Sequence, residues 1–333
     1  MRKFVLAALV STVVAASGTA HAQKYNLTVA GYSPGGLVST VGAGLDAAIA
    51  AAYPGSTLTY QTSSGGLANA MLIDQDKVPL AFIADSELNV ALKGIAPIKS
   101  PVKSLTMLIR PYAPGSRFQA THVIVSKSWA DSNGIKTFAD VAAKKPALRV
   151  AVNRPGNLDG DVALAVLAAN GMSQDDIKSA GGQIVRAASA EMKSLMLDRR
   201  IDGVVLGISY NHSAIREIAQ GLEVVMLPME DSVAKKAADE LGVSTCSFKA
   251  SEYDFLAADT ASVCVGLIMV ARSDMDEQVA YNVTKAVVEN IEKYRSAHPL
   301  LKKAVTEQTL AEGGLAPFHP GAAKYLKEKG LLK

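Results

Sequence analysis

The feature that most constrains this chain is an alternation, repeated in two blocks, of short β-branched runs with longer segments rich in alanine and leucine. In the first block strands are expected at 25–30, 58–61 and 80–83, with helices at 38–52 and 66–73. Branched side chains are stiff about χ1 and suit a pleated surface, whereas alanine and leucine lose least in a helix. Strand–helix–strand order covers a sheet on both faces, so the expected class is α/β with mostly parallel sheets flanked by helices. A loop with Pro and Gly at 111–116 opens the second block. Strands are expected there at 122–126, 149–153, 184–187, 204–207 and 223–227, and helices at 135–143, 161–170 and 189–198. An apolar strand at 264–271 then precedes an amphipathic helix at 276–298, with Val279, Val283, Ala286, Val287 and Ile291 at helical spacing. Because these last elements return after the second block, two lobes joined by two crossing segments are expected, near 110–123 and 264–272.

Residues 1–22 read as an export signal. Arg2 and Lys3 form a basic start, 4–16 is an apolar run, and Ala20-His21-Ala22 has the small-x-small pattern cut by signal peptidase. That run is shorter than the roughly 20 residues a membrane span needs. Cleavage after Ala22 and a periplasmic location are expected. Removing the peptide leaves 311 of 333 residues, room for about two domains. It also takes two of the 34 basic residues, leaving 32 against 31 acidic ones and a formal charge of +1. No basic stripe interleaved with aromatics appears, so nucleic acid is not an expected partner.

The two cysteines, Cys246 and Cys264, would share an oxidising compartment, and the turn-rich stretch 249–259 could fold one beside the other. A disulfide is favoured over two buried thiols. Metal binding is not expected, because two cysteines 18 apart without a nearby histidine do not match ligand spacing.

Three glycine-containing turns follow expected strands and open expected helices, at 31–36, 62–66 and 153–160. Glycine lets backbone N–H groups turn outward at a helix N-terminus, where unpaired donors and the helix dipole favour an anion. Converging at strand carboxyl ends, they would make a carboxylate or phosphate site. The expected contacts are Tyr32, Ser33, Gly36 and Leu37 in the first turn, Ser63, Ser64 and Gly65 in the second, and Asn153, Asn157 and Asp159 in the third. Asp85 and Ser86 end the third strand and either face the crevice or cap the helix from Glu87 onward. Arg110 and Arg154 are the cations best placed to meet a ligand carboxylate.

Two motifs argue for other chemistry and fail. Gly31-Tyr32-Ser33-Pro34-Gly35 matches the hydrolase pattern G-x-S-x-G, in which the residue after serine donates its N–H to the oxyanion hole. Pro34 has no N–H to give. Gly42-Ala43-Gly44-Leu45-Asp46-Ala47 loosely fits a dinucleotide fingerprint, yet it falls inside an expected helix instead of opening one. His122, His212, His298 and His319 show no carboxylate at a telling spacing and read as structural or surface groups. Neither enzymatic activity nor a cofactor is expected.

The residues that carry a family likeness are Ser33-Pro34-Gly35-Gly36, Ser64-Gly65-Gly66 with Asn69, and Leu80-Ala81-Phe82-Ile83. Pro155-Gly156, Ile201-Asp202-Gly203, His319-Pro320-Gly321-Ala322 and Tyr325-Leu326-Lys327-Glu328-Lys329-Gly330-Leu331 extend it over nearly the whole mature chain. The chain resembles the TAXI family, the solute receptors of one branch of the tripartite ATP-independent periplasmic (TRAP) transporters. The resemblance implies a class II periplasmic binding protein fold, with one lobe from 23–117 and 266–333 and the other from 118–265. It implies hinge closure on a dicarboxylate, oxo acid or acidic amino acid and delivery to TRAP permease subunits; a monomer is expected. The chain departs from the family at Leu37 and Val38, at Ala84-Asp85-Ser86, at Asn157-Leu158-Asp159 and at Ser209-Tyr210-Asn211, where Tyr210 and Asn211 would also meet ligand. Leucine and valine in place of hydroxyls point to a partly apolar acid. A periplasmic sensor or adhesion module is the alternative, and an exported hydrolase a more distant one.

Overall fold

The computed structural model describes residues 23–34 and 37–333; the expected export signal and Gly35-Gly36 lie outside the described residues. Among the described residues, twelve strands form two sheets. The first sheet contains β1 (Asn26–Ala30), β2 (Thr57–Gln61), β3 (Leu80–Ala84), β4 (Leu105–Tyr112) and, from late in the chain, β12 (Leu267–Arg272). Its order is β2-β1-β3-β12-β4. Between them run β5 (Ala120–Ser126), β6 (Arg149–Val152), β7 (Gln183–Arg186), β8 (Gly203–Ile208), β9 (Val224–Met226), β10 (Ser244–Phe248) and β11 (Thr260–Cys264). These make the second sheet in the order β10-β11-β5-β8-β6-β7, with β9 paired to β5.

Both sheets are mixed, and the reversed strands have a geometric reason. β1 runs parallel to β2 and β3, and β6 parallel to β7 and β8. The carboxyl ends of β3, β4, β8 and β11 lie at the seam between the sheets, because Leu267 pairs with Ala84 and Tyr112 while Ala120 pairs with Ile208 and Cys264. A strand that enters a sheet from the other one must start at that seam and run away from it. β5 and β12 are those entering strands, and each is antiparallel to its neighbours.

Strand side chains alternate between two apolar layers on each sheet. In β3, Leu80 and Phe82 join one core while Ala81 and Ile83 join the other. In β5, Val123 and Val125 face one layer and Ala120 and Ile124 the opposite one. Burial on both faces explains why these strands read as unbroken apolar runs. The helix Leu37–Ala52 buries Leu37, Val38, Val41, Leu45 and Ile49 against the first sheet, so the glycines of the dinucleotide-like pattern lie within that helix.

Two expected elements are divided. The run at 264–271 is β11 and β12, one strand in each sheet, broken at Val265-Gly266. A Cβ on Gly266 would lie 2.6 Å from Cδ of Pro114, so the two crossings touch only because this residue has no side chain. The helix expected at 276–298 becomes Glu277–Glu289 and Ile291–Arg295, separated at Asn290. There the Asn290 side chain donates to the Ala286 carbonyl at 3.0 Å, a local bond that competes with continued helix. β4 and β10 were not expected, since β4 is interrupted by Pro111 and β10 is short and half polar.

Cys246 and Cys264 are joined by a disulfide across the antiparallel pair β10–β11, with Cα atoms 5.9 Å apart. Closing 18 residues of chain is expected to contribute about 3 kcal/mol. The double variant Cys246→Ser, Cys264→Ser should lose that amount in urea unfolding; a loss under about 0.5 kcal/mol would show that the bridge adds nothing to the pairing of β10 with β11.

Candidate functional site

Three glycine turns meet at the seam. Ser33 Oγ donates to Asn153 Oδ1 at 3.2 Å and accepts from Asn157 Nδ2 at 3.2 Å, joining the turn after β1 to the turn after β6. Asn153 also donates to Ser189 Oγ at 3.4 Å. All of these side chains are buried. The second turn joins them through backbone: at Gly65, with φ of 145°, a Cβ would stand 1.9 Å from the Gly156 carbonyl oxygen. Only glycine permits that approach and that φ.

A buried carboxylate that the sequence did not single out fixes the turns on the first sheet. Glu87, 5% exposed, sits in the first turn of the helix Asp85–Lys93. Its Oε1 accepts from Gly66 N at 2.9 Å, and its Oε2 accepts from Ala84 N at 3.2 Å and from the Tyr32 hydroxyl. Ser63 Oγ donates to Asn69 Oδ1 at 2.6 Å, and Asn69 Nδ2 donates to the carbonyls of Gly31 at 2.7 Å and Phe82 at 2.8 Å. Glu87 was visible only as the third residue of a helix following a strand, the position that reaches back to a cap. Its burial had no local signature.

This arrangement revises the expected anion cradle. The N–H that opens the helix Gly66–Asp74 goes to Glu87. Asn157 caps the helix Leu158–Ala169, accepting from Asp159 N at 3.1 Å. Each terminus gives at least one of these donors to an internal partner, and hydroxyl and amide side chains stand beside them at the seam.

Several other expected contacts take different places. Arg110, 3% exposed, grips Asp85 with both terminal nitrogens, at 2.6 and 2.9 Å, and also donates to the carbonyls of Gly313 at 2.9 Å and Glu312 at 3.3 Å. A buried guanidinium must have its donors matched, and here Asp85 and two carbonyls match them instead of a ligand carboxylate. Ser86 is buried and its hydroxyl has no partner. Arg154 is exposed, 3.8 Å from Glu191. Ser64 is exposed, whereas Leu37 and Val38 pack in the core, which removes the basis for a partly apolar acid. Tyr210 and Asn211, in contrast, do line a cavity at the seam, where Tyr210 stacks edge-on with Tyr253 and Asn211 N donates to the Tyr253 hydroxyl at 2.8 Å. Gly36 lies outside the described residues.

Asp159 accepts from Gln119, whose own side-chain oxygen accepts from the Tyr112 hydroxyl, a relay from β4 across the crossing into the second sheet's helices. Burial pushes Asp159 up to about 7 against the lowering effect of Gln119. Burial likewise raises Glu87 to about 7, although the bonds from Tyr32, Ala84 and Gly66 oppose it. Neither carboxyl takes part in an ion pair among the described residues.

One pair at the seam has the look of a nucleophile and its base. Ser209 Oγ lies 3.2 Å from His298 Nε2. But His298 Nδ1 accepts from Leu300 N at 3.2 Å, so a neutral ring carries its proton on Nε2 and donates to Ser209. It cannot then remove the serine proton. A cavity of about 350 Å³ beside this pair lies between Thr40, His298 and Lys303 on one side and Tyr210, His212 and Arg216 on the other, and another of about 350 Å³ lies between Asp85, Arg110 and Leu315 and the segment Gly242 to Ser244.

Glu87, raised from 4.5 to about 7, holds its proton in the folded state but not in the unfolded one between those values. Its own contribution to stability should therefore fall as pH rises through that window, by up to about 1.4 kcal/mol per pH unit, against the opposite contribution of the buried histidines His122 and His212, which are lowered to about 4. Urea unfolding of wild type and Glu87→Gln checks this: the variant should lose that part of the slope, and identical slopes would refute the assignment.

This architecture recurs among solved structures. MatC from Rhodopseudomonas palustris, with bound malate, matches with a TM-score of 0.56 and 15% identity, covering 83% of this chain and 88% of that one. PhnD1 from Prochlorococcus marinus, in complex with methylphosphonate, matches at 0.52 and 10% identity, covering 83% and 89%. At such identities the likeness is one of fold, that of the periplasmic binding proteins. The profile of the NMT1-like family matches residues 29–330, and with that span covered the chain belongs to the NMT1-like family.

Proposed function

We propose that this protein is an extracytoplasmic solute receptor that captures a small organic acid by hinge closure and delivers it to a membrane permease. The observation that carries the reading is the contact of Ser33 with Asn153 and Asn157 across a seam that the backbone crosses only twice. Side chains that meet only when two bodies close are the groups a ligand bridges in a hinge mechanism. The hinges would lie between Tyr112 and Ala120 and between Cys264 and Leu267. The moving bodies would be 23–117 with 266–333, and 118–265. Binding free energy realised in the closed form alone shifts the equilibrium toward it, and a permease can recognise the shape that results.

Hydroxyl and amide groups such as Ser33, Asn153 and Asn157 suit an oxygen-rich solute. Both structural neighbours hold a small anion, malate in one and methylphosphonate in the other. The resemblance to the TAXI branch supports a TRAP permease as the partner, and residues 1–22 support export to the periplasm with cleavage after Ala22.

The test couples a thermal-shift screen of dicarboxylates, oxo acids, acidic amino acids and phosphonates to small-angle scattering. A ligand should raise Tm and reduce the radius of gyration. A bound ligand that leaves the radius unchanged would remove the hinge mechanism, and a screen without any acid among its hits would remove the organic-acid class.

Gly65→Ala places a methyl group against the Gly156 carbonyl and strains the backbone at φ 145°. It should hold the seam apart and weaken the best ligand by about tenfold or more, about 1.4 kcal/mol. Wild-type affinity and wild-type compaction in this variant would show that the two turns do not meet in the liganded state.

A further inference from the structure

The seam distributes charge unevenly. Glu87 and Asp159 lie toward the Ser33 contact, whereas the cavity beside His298 has no carboxylate in its lining. That cavity, of about 350 Å³, is lined by Arg216 and His212 from the second sheet's elements and by Lys303 and His298 from helices packed on the first. Arg216 and Lys303 are exposed and form no ion pair among the described residues. The nearest acid on the same helix, Glu217, is engaged with Lys193 at 2.5 Å.

The two imidazoles have fixed tautomers, and the His298 proton is already given to Ser209. His212 Nδ1 accepts from Ala214 N and His298 Nδ1 from Leu300 N, each at 3.2 Å, so each neutral ring carries its proton on Nε2. Burial pushes His212 down to about 4, with His298 and Arg216 adding to the shift. His298 is lowered by burial and then by Arg216. After burial, Arg216 acts on both rings, and Glu217 opposes it at His212; a bound anion would offset the charge of Arg216.

We infer that this cavity is an anion subsite, holding a carboxylate of a small organic acid between Arg216 on one body and Lys303 on the other. The inference rests on the receptor reading above and adds to it where the ligand's charge goes. Because the cations come from opposite bodies, a shared carboxylate offsets their mutual repulsion and favours closure. Near the Ser33 contact, by contrast, an ionised Glu87 or Asp159 would repel a second carboxylate, so that part of the seam suits the acid's neutral atoms.

The experiment follows the imidazole nitrogens of His212 and His298 by NMR during titration with succinate, malate and glutarate, with Kd measured in parallel by calorimetry. Arg216→Gln and Lys303→Gln alter exposed side chains and should leave the fold intact; Lys235→Gln, on the exposed face of another helix, is the control. Saturable shifts of both imidazoles are expected, with Kd rising about tenfold in each cavity variant and less than about twofold in the control. Lys303→Gln decides between cavities, since Arg216 also lines a larger one with Lys127 that does not include Lys303. An acid that binds and compacts the protein but moves neither imidazole, with Kd unchanged in Lys303→Gln, overturns the subsite and leaves the receptor reading intact. No saturable shift by any of the three acids up to roughly 10 mM also overturns it, since affinity weaker than that is outside the range of specific recognition. The receptor reading is then decided by compaction with other solutes.

Discussion

The carboxylate of Glu87 is the interaction on which the geometry of the seam depends. It accepts from the Tyr32 hydroxyl and from the backbone of Gly66 and Ala84, so it holds the ends of β1, β2 and β3 in one register. A buried carboxyl is costly unless its oxygens are matched, and here each oxygen is matched by a group that would otherwise be an orphan at a helix or strand end. The same bonds that make the burial tolerable also set where Ser33 and Gly65 stand relative to Asn157 and Gly156. Removing any one donor would loosen the first sheet's side of the seam before it disturbed the second's.

Directionality follows from the crossings. A chain that builds parallel strands toward the seam in one sheet and then moves to the other must begin there with a strand pointing away. β5 and β12 satisfy that requirement, and Gly266 lets their entry points pack together beside Pro114. The result concentrates loop ends, which are free to vary, on the surface that closes, and leaves the packed layers behind them to hold position.

The α/β class was legible because burial on both faces produces long apolar strands, and helix packing produces four-residue spacing. β4 and β10 were not, since Pro111 and a half-polar composition hide strands that are defined by their neighbours. In the site, the meeting of the turns at 31–34, 62–66 and 153–160 could be expected from glycine at strand ends. Their internal capping could not, because it depends on Glu87 and Asn157 reaching groups set by the tertiary fold. Arg110 and Asp85 show the same limit: each was a reasonable ligand contact alone, and only the packing of β4 beside the helix Asp85–Lys93 reveals that they neutralise each other.

These substitutions of internal for external partners have an electrostatic consequence. With Glu87 and Asn157 engaged at helix termini, and Arg110 matched by Asp85, the middle of the seam contains hydrogen-bonding groups and, in Arg186, a cation held on the Asn153 carbonyl at 3.3 Å. An anion is drawn by charge outside ion pairs, and the cavity beside His298 offers Arg216 and Lys303, with the His212 imidazole as a further donor. Recognition of shape and recognition of charge would then be divided between neighbouring parts of one interface. The fold can vary its hydroxyl and amide contacts near Ser33 without moving the cations, and change its solute while still closing around an acid.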